Sequence, residues 1–489
     1  MSTIDVVIFI VYIIGIVLFG SSFYRKNKSA TSFTVGNNNI PTWVISMSIF
    51  ATFVSSISYL ALPGQAYLTN WNAFVFSMSI PLALWLAVKY FVPLYRSINS
   101  PSAYTYLEER FGPWAKIYVS VMYLLTQLMR TGTILFLIAL PLNVLLGWDI
   151  VTIIIITGLS VMLYSLLGGI QAVVWTDAIQ AIILITGALV CEAVLLFSMP
   201  EGPGQLFSIA MENQKFSLGS FGADVTTSTF WVVLIYGLFI NVQNYAIDQN
   251  YVQRYMTASS EKEAKKSAFY GGLLYVPVSM LFMFIGTSLF SFYTSQPGLI
   301  PAGIQSDRVF PFFIVNQLPA GVTGLLIASI FAAGMSTIST SLNSSATVIH
   351  TDYFKKSKKG EGGEKRSMKI LYTSTFLFGL VSMGIAIAMI NVQSVLDAWW
   401  KLASIFSGGM LGLFLLGFFV KKVKSRAAIA GMTAGVLLIG WMSLSPLFFS
   451  GGLQKFASPF HSYLSIVFGT SVIFLVGFLL GVVLVKKNK

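Results

Sequence analysis

Apolar stretches long enough to cross a bilayer recur near 4–23, 41–68, 72–96, 116–146, 149–168, 173–198, 228–248, 267–292, 321–351, 370–391, 396–419, 427–446 and 462–485. Roughly 20 apolar residues in helix span the hydrocarbon core. The pattern therefore predicts an all-α polytopic membrane protein of about thirteen transmembrane helices. The connections between these stretches are too short to hold a soluble domain. The first run is followed, not preceded, by cations and has no small-residue cleavage site, so it reads as a retained helix with an exported N-terminus.

Composition narrows the class further. Of 489 residues, 56% are hydrophobic and 10% charged; soluble domains carry about 25% charged residues, which excludes an ordinary soluble enzyme. The 71 aromatics exclude a disordered chain, and the single cysteine, Cys191, excludes a disulfide scaffold. A net charge of +13 would hint at nucleic acid if it were spread over a surface. It is not. With the N-terminus outside, 24 of the 30 Lys and Arg fall in alternate connections on one side, including Arg25, Arg110, Arg254, seven between Lys355 and Lys369, and Lys421 to Arg426. This is the positive-inside pattern, and it predicts an N-out, C-in protein of the cell membrane. The lysine-rich stretch 355–369 reads as a flexible cytoplasmic loop that could also touch anionic lipid.

Two hydrophobic segments are interrupted. The second carries small hydroxyl residues and Pro63-Gly64 within Ile49–Tyr67; the seventh ends in the polar run Asn241–Asn250. Polar or broken backbone at membrane depth is tolerated where it lines a cavity or is buried in protein. The two breaks lie five spans apart, which points to a five-plus-five inverted repeat with a site at the midplane. A packing kink and an early exit from the membrane is the plainer alternative. The boundaries expected are 1–40 for an extra first helix and loop, 41–226 and 227–423 for the repeats, and 424–489 for two C-terminal helices and a basic tail.

In the ninth segment Ala333, Ser336, Thr337, Thr340, Ser344 and Thr347 form one helical stripe with Ser339 at its edge. Hydroxyls and freed carbonyls suit a hard monovalent cation, although small residues at this spacing also serve as plain packing surface. Arg130, mid-span, needs a partner: a carboxylate such as Glu192, free carbonyls, or an anionic substrate. Lys89 is placed to snorkel, and Lys401 to pair with Asp397. Asp177 reads either as an interfacial helix cap or as an ion ligand. His350 and His461 offer no metal pair, and no nucleotide loop or catalytic triad is present. The chain is therefore not expected to be an enzyme.

The runs Gly168–Asp177, Asp248–Tyr255 and Met335–Asn343 resemble those of the sodium:solute symporter family, and the resemblance covers nearly the whole chain. It implies a leucine-transporter-type fold with one extra N-terminal and two C-terminal helices, and sodium-coupled import by alternating access. It also implies a sodium (Na+) site at the carbonyls of Ala51, Val54 and Ala333 and the hydroxyls of Ser336 and Thr337. Asp177, Ser336, Ser339 and Thr340 match a second sodium site present in some members. Within the family the sequence is most similar to bacterial sialic acid symporters, through FATFVSSIS, the Pro63–Tyr67 turn and the arginine. That similarity places Arg130 at the substrate carboxylate and Ser55 and Ser58 in the pocket. Phe53 and Ser77 depart from it, standing where those relatives carry threonine and glutamine. The same machine carrying a monocarboxylate, another sugar or an amino acid is the close alternative. A solute sensor on this fold is a more distant one, and a passive channel is disfavoured because no ring of filter residues is seen. The resemblance implies small-molecule and bilayer partners and no nucleic acid, and the sequence leaves the oligomeric state open.

Overall fold

In lipid every backbone group must find an internal partner, so a chain this apolar folds as helices. The computed structural model describes residues 2–354, 361–391, 409–449 and 451–486, with no strand among them. Ten of the described helices are long and apolar enough to cross a membrane, or eleven when Thr42–Phe53 and Ser58–Leu68, bent by 54°, are taken as one broken span. They run Thr3–Lys26, Trp71–Ile98, Pro113–Asn143, Ile150–Phe197, Phe230–Ile247, Glu261–Ser295, Val322–Phe354, Gly362–Ala388, Ser425–Phe448 and Leu464–Val482. The helix Ile150–Phe197 has 48 residues, more than twice what the hydrocarbon accommodates. It is two helices joined at Gly169, where φ 57 and ψ −153 leave helical space. A Cβ there would lie 2.9 Å from the Phe33 backbone, so glycine is required. Asn27 donates to the freed Leu167 carbonyl at 3.0 Å, and Gln171 ties the next turn to the Gly36 carbonyl at 2.9 Å. The apolar helix Gly409–Phe419 is the described part of segment 396–419.

The centre of the bundle is the helix Val322–Val348, buried along almost its entire length. It packs most extensively against Ile150–Phe197 and also against Pro113–Leu146, the first helix and the broken helix. The buried carboxylate of Asp5 accepts from the backbone of Gly321 at 2.7 Å and Gly324 at 2.9 Å, so the first helix caps the start of this central one. Outside the spans, the ammonium of Lys215 is buried against the carbonyls of Tyr67 (2.7 Å) and Thr69 (3.0 Å), 3.8 Å over the Phe290 ring. It thereby clamps the end of the broken helix's second half. Burial pushes the Lys215 amine down from 10.5 to about 8. The native state thus holds this proton less tightly than the unfolded chain, and it gains relative stability as pH rises through the window from about 8 to 10.5. Thermal melts of wild type and Lys215→Met across that window should diverge in this direction; a constant difference contradicts it.

Three sequence expectations change. Residues from Glu361 onward belong to the helix Glu361–Ala388, so the loop expected over 355–369 is helical in its second part. Arg254 does not lie in a surface connection but is fully buried. Asp177 is likewise buried and is no interfacial cap. Lys89 is exposed on a wide turn over the rings of Trp85 (4.7 Å) and Tyr90 (5.2 Å), as snorkelling requires. The expected pair of Lys401 and Asp397 lies outside the described residues.

Candidate functional site

The run Thr52-Phe53-Val54-Ser55-Ser56 is short-branched and hydroxyl-rich, which favours a local interruption. The helix stops at Phe53, Val54 and Ser55 are extended, and Ser55 caps a new helix by accepting from Ser58. Three carbonyls released there find partners on other helices. Ala51 accepts from the Ser336 hydroxyl at 3.1 Å, Val54 from Thr337 at 3.5 Å, and Thr52 from the Arg130 guanidinium at 3.2 Å. Ser336 and Thr337 also reach the Ala333 carbonyl at 3.1 and 3.2 Å. Ala51, Val54, Ala333, Ser336 and Thr337 therefore converge in one place, all but inaccessible to solvent. Five neutral oxygens with no fixed charge among them make a cage suited to a small hard monovalent cation.

Arg130 is half-buried. Glu192 is not its partner, because it accepts from Ser288 at 2.7 Å elsewhere, and Arg130 joins no ion pair among the described residues. A free carbonyl at the break is what it meets. The second interruption lies at Asp248, where Phe230–Ile247 ends and the short helix Gln249–Thr257 begins. Asp248 caps the new helix through Asn250 at 2.8 Å, and its carboxylate feels the positive charges of Arg130 and Arg254. The arginine thus lies between the two breaks. Phe53 stacks on Tyr245 at 5.3 Å and tilts against Tyr275 at 4.3 Å, and Ser58 faces the Tyr275 hydroxyl. Ser55 is buried at the break itself. Ser77 is buried on the next helix, and no hydrogen bond joins it to the other pocket residues.

Asp177 forms a buried ion pair with Arg254 at 2.7 Å, both side chains being 0% exposed. Ser48 donates to the same carboxylate at 2.7 Å, and Ser339 reaches it at 3.4 Å. Arg254 also meets Thr340 at 2.5 Å and the Asn250 carbonyl at 2.6 Å. Asp177, Ser339 and Thr340 are therefore brought together, with Arg254 between them; Ser336 is linked through its carbonyl, which accepts from Ser339 at 3.0 Å. Beside this group Gln253 donates to Thr34, Asn343 and Thr347 and accepts from Ser344 at 2.7 Å. Arg254, Gln253 and Ser48 escaped the reading by residue chemistry. The signal for the first two was the spacing of Gln249, Asn250, Gln253 and Arg254 on one helical face. No cluster of His, Cys, Asp or Glu among the described residues could hold a multivalent metal.

Two interrupted helices around an oxygen cage, with a half-buried arginine at one of the breaks, form the arrangement of a multi-pass membrane transporter in which helix breaks supply the binding groups. A sequence profile of the sodium:solute symporter family matches residues 33–435, and the chain belongs to that family. It is a transporter, not an enzyme. The sodium/sialic acid symporter SiaT of Proteus mirabilis is 32% identical over 88% of this chain and 87% of its own. The sodium/sialic acid symporter NanT of Aliivibrio fischeri is 31% identical over 98% of this chain and 93% of its own. The solved structure of a Na+-coupled sialic acid symporter, substrate-bound and outward-open with a novel Na+ site, superposes with a TM-score of 0.91 at 29% identity. It covers 99% of this chain and 98% of that one. Mhp1, a nucleobase-cation-symport-1 family transporter, shares the fold at a TM-score of 0.60 and 14% identity, over 94% and 96% of the two chains. The fold is the leucine-transporter-type arrangement expected from the sequence.

Proposed function

We propose that this chain is a sodium-coupled importer of sialic acid, an anionic sugar, working by alternating access in a bacterial cell membrane. The N-terminus faces outward and the C-terminus the cytoplasm, in keeping with the distribution of cations. The observation that carries this reading is the position of Arg130, whose guanidinium touches the Thr52 carbonyl beside the oxygen cage. The two symporters SiaT and NanT support the choice of solute.

Sodium enters as a substrate. At Ala51, Val54, Ala333, Ser336 and Thr337 it binds the broken helix to the central helix, which fixes Thr52 and hence the arginine's setting. The substrate carboxylate then takes Arg130, displacing the weaker carbonyl contact, while Ser55 and Ser58 offer hydroxyls and the Phe53–Tyr245–Tyr275 cluster forms an apolar wall. The assignment of Ser77 to the same pocket rests on the resemblance to the family alone. Each ligand must raise the affinity of the other by the same factor. A second sodium at Asp177, Ser336, Ser339 and Thr340 would have to share its oxygens with Arg254, which already donates to Asp177 and Thr340.

Proteoliposome uptake tests the reading. Labelled sialic acid should accumulate against its gradient when sodium is directed inward and not when choline replaces sodium. Arg130→Ala should weaken apparent substrate affinity by about 30-fold or more, as truncating one side of a buried charge pair does, while sodium binding persists. Unchanged affinity would remove Arg130 from the pocket. Accumulation of lactate or proline, with sialic acid excluded, would favour the alternative solutes.

A further inference from the structure

A groove of about 680 Å³ runs along the helix Glu361–Ala388 at the cation-rich end of the bundle. Its walls come from three helices: Leu128 from Pro113–Leu146, Ile349 from the end of the central helix, and Leu377 from Glu361–Ala388 itself. Its mouth carries Arg366 and Lys369. These two are exposed, and neither joins any ion pair among the described residues.

The order of side chains along this helix is informative. Positions 366, 369, 373 and 377 recur at helical spacing and lie on one face. Two cations stand at one end, and the mainly apolar part beyond them extends about 16 Å along the axis from Ile370 to Val381. A soluble anion such as phosphate would use the cations and leave the apolar walls wet. A neutral lipid would use the walls and leave two cations unpaired. Only an amphiphile with an anionic head and an acyl chain satisfies both halves. We infer that this groove binds an anionic glycerophospholipid, with its phosphate at Arg366 and Lys369 and one acyl chain along Leu128, Ile349 and Leu377. The bound lipid bridges Glu361–Ala388 to the end of the helix that carries Ser336 and Thr337.

Native mass spectrometry of the full chain, released from mixed vesicles of phosphatidylglycerol and phosphatidylethanolamine, tests this. Wild type should retain phosphatidylglycerol about tenfold in preference to phosphatidylethanolamine. Arg366→Gln with Lys369→Gln should lose that preference, whereas Lys421→Gln with Lys422→Gln, on another basic turn, should keep it. Should the first pair impair folding, Ser374→Trp fills the groove without touching charge and should reduce retention of the lipid. Glycerol phosphate, lacking acyl chains, should not compete. Equal retention of both lipids by wild type, undiminished preference in the Arg366 and Lys369 variant, or displacement by glycerol phosphate would each overturn the inference.

Discussion

Arg254→Met, made alone, is expected to lower stability by about 3–5 kcal/mol, because it leaves the Asp177 carboxylate buried without its counter-charge. Both side chains are 0% exposed and 2.7 Å apart. Asp177→Asn alone should cost a similar amount by stranding the guanidinium. The double variant should recover much of the loss, since a buried pair replaced as a whole removes both desolvation penalties. Thermal unfolding of the four purified proteins gives the coupling energy; additive losses would mean that the pair is not a unit. The same proteins separate structure from ion binding. If Asp177 takes a second sodium, the refolded double variant should transport with a lower Hill coefficient for sodium than wild type. An unchanged coefficient would leave Asp177 with a structural role alone.

The second large effect is expected at the oxygen cage. Ser336→Ala and Thr337→Val each remove one hydroxyl oxygen from the buried group of five proposed to bind sodium. A hydrogen bond or contact to a charged species is worth about 1.5–3 kcal/mol, so each should raise the sodium concentration for half-saturation about 10- to 100-fold. Both replacements keep the small profile that lets the broken and central helices approach, and folding should survive. Sodium titrations of thermal stability without any organic substrate read the effect directly. A sodium midpoint equal to that of wild type in both variants would move the ion elsewhere. Loss confined to uptake, with the midpoint intact, would place these hydroxyls on the path of the conformational change.

How much of this was legible beforehand varies from residue to residue. The two interrupted segments were readable because hydroxyls, Pro-Gly and a polar run at membrane depth contradict an unbroken apolar helix. The stripe from Ala333 to Thr347 was readable because helical periodicity places it on one face. Neither pattern says which carbonyls are released, or toward which neighbour. That depends on the extended dihedrals of Val54 and Ser55, which turn Ala51 and Val54 to the stripe and Thr52 to Arg130. Arg254 was misplaced for a related reason. A cation eleven residues before Lys265, just past the polar run Asn241–Asn250, looks like an interfacial charge until a distant aspartate is packed against it. Gly169 shows the reverse case: its neighbourhood matched a family motif, but the need for glycine came from a positive φ and the Phe33 backbone.

By itself the sequence determined the solvent of this protein, its helical class, and the places where helices fail. These follow from local properties: run length, period and the cost of polar groups in hydrocarbon. The tertiary structure alone decided which of the few intramembrane charges are free. Asp177 and Arg254 neutralise each other across 77 residues of chain, while Arg130, which joins no ion pair among the described residues, keeps a single contact to the Thr52 carbonyl. Pairing over such distances is a matter of packing, and no local pattern encodes it.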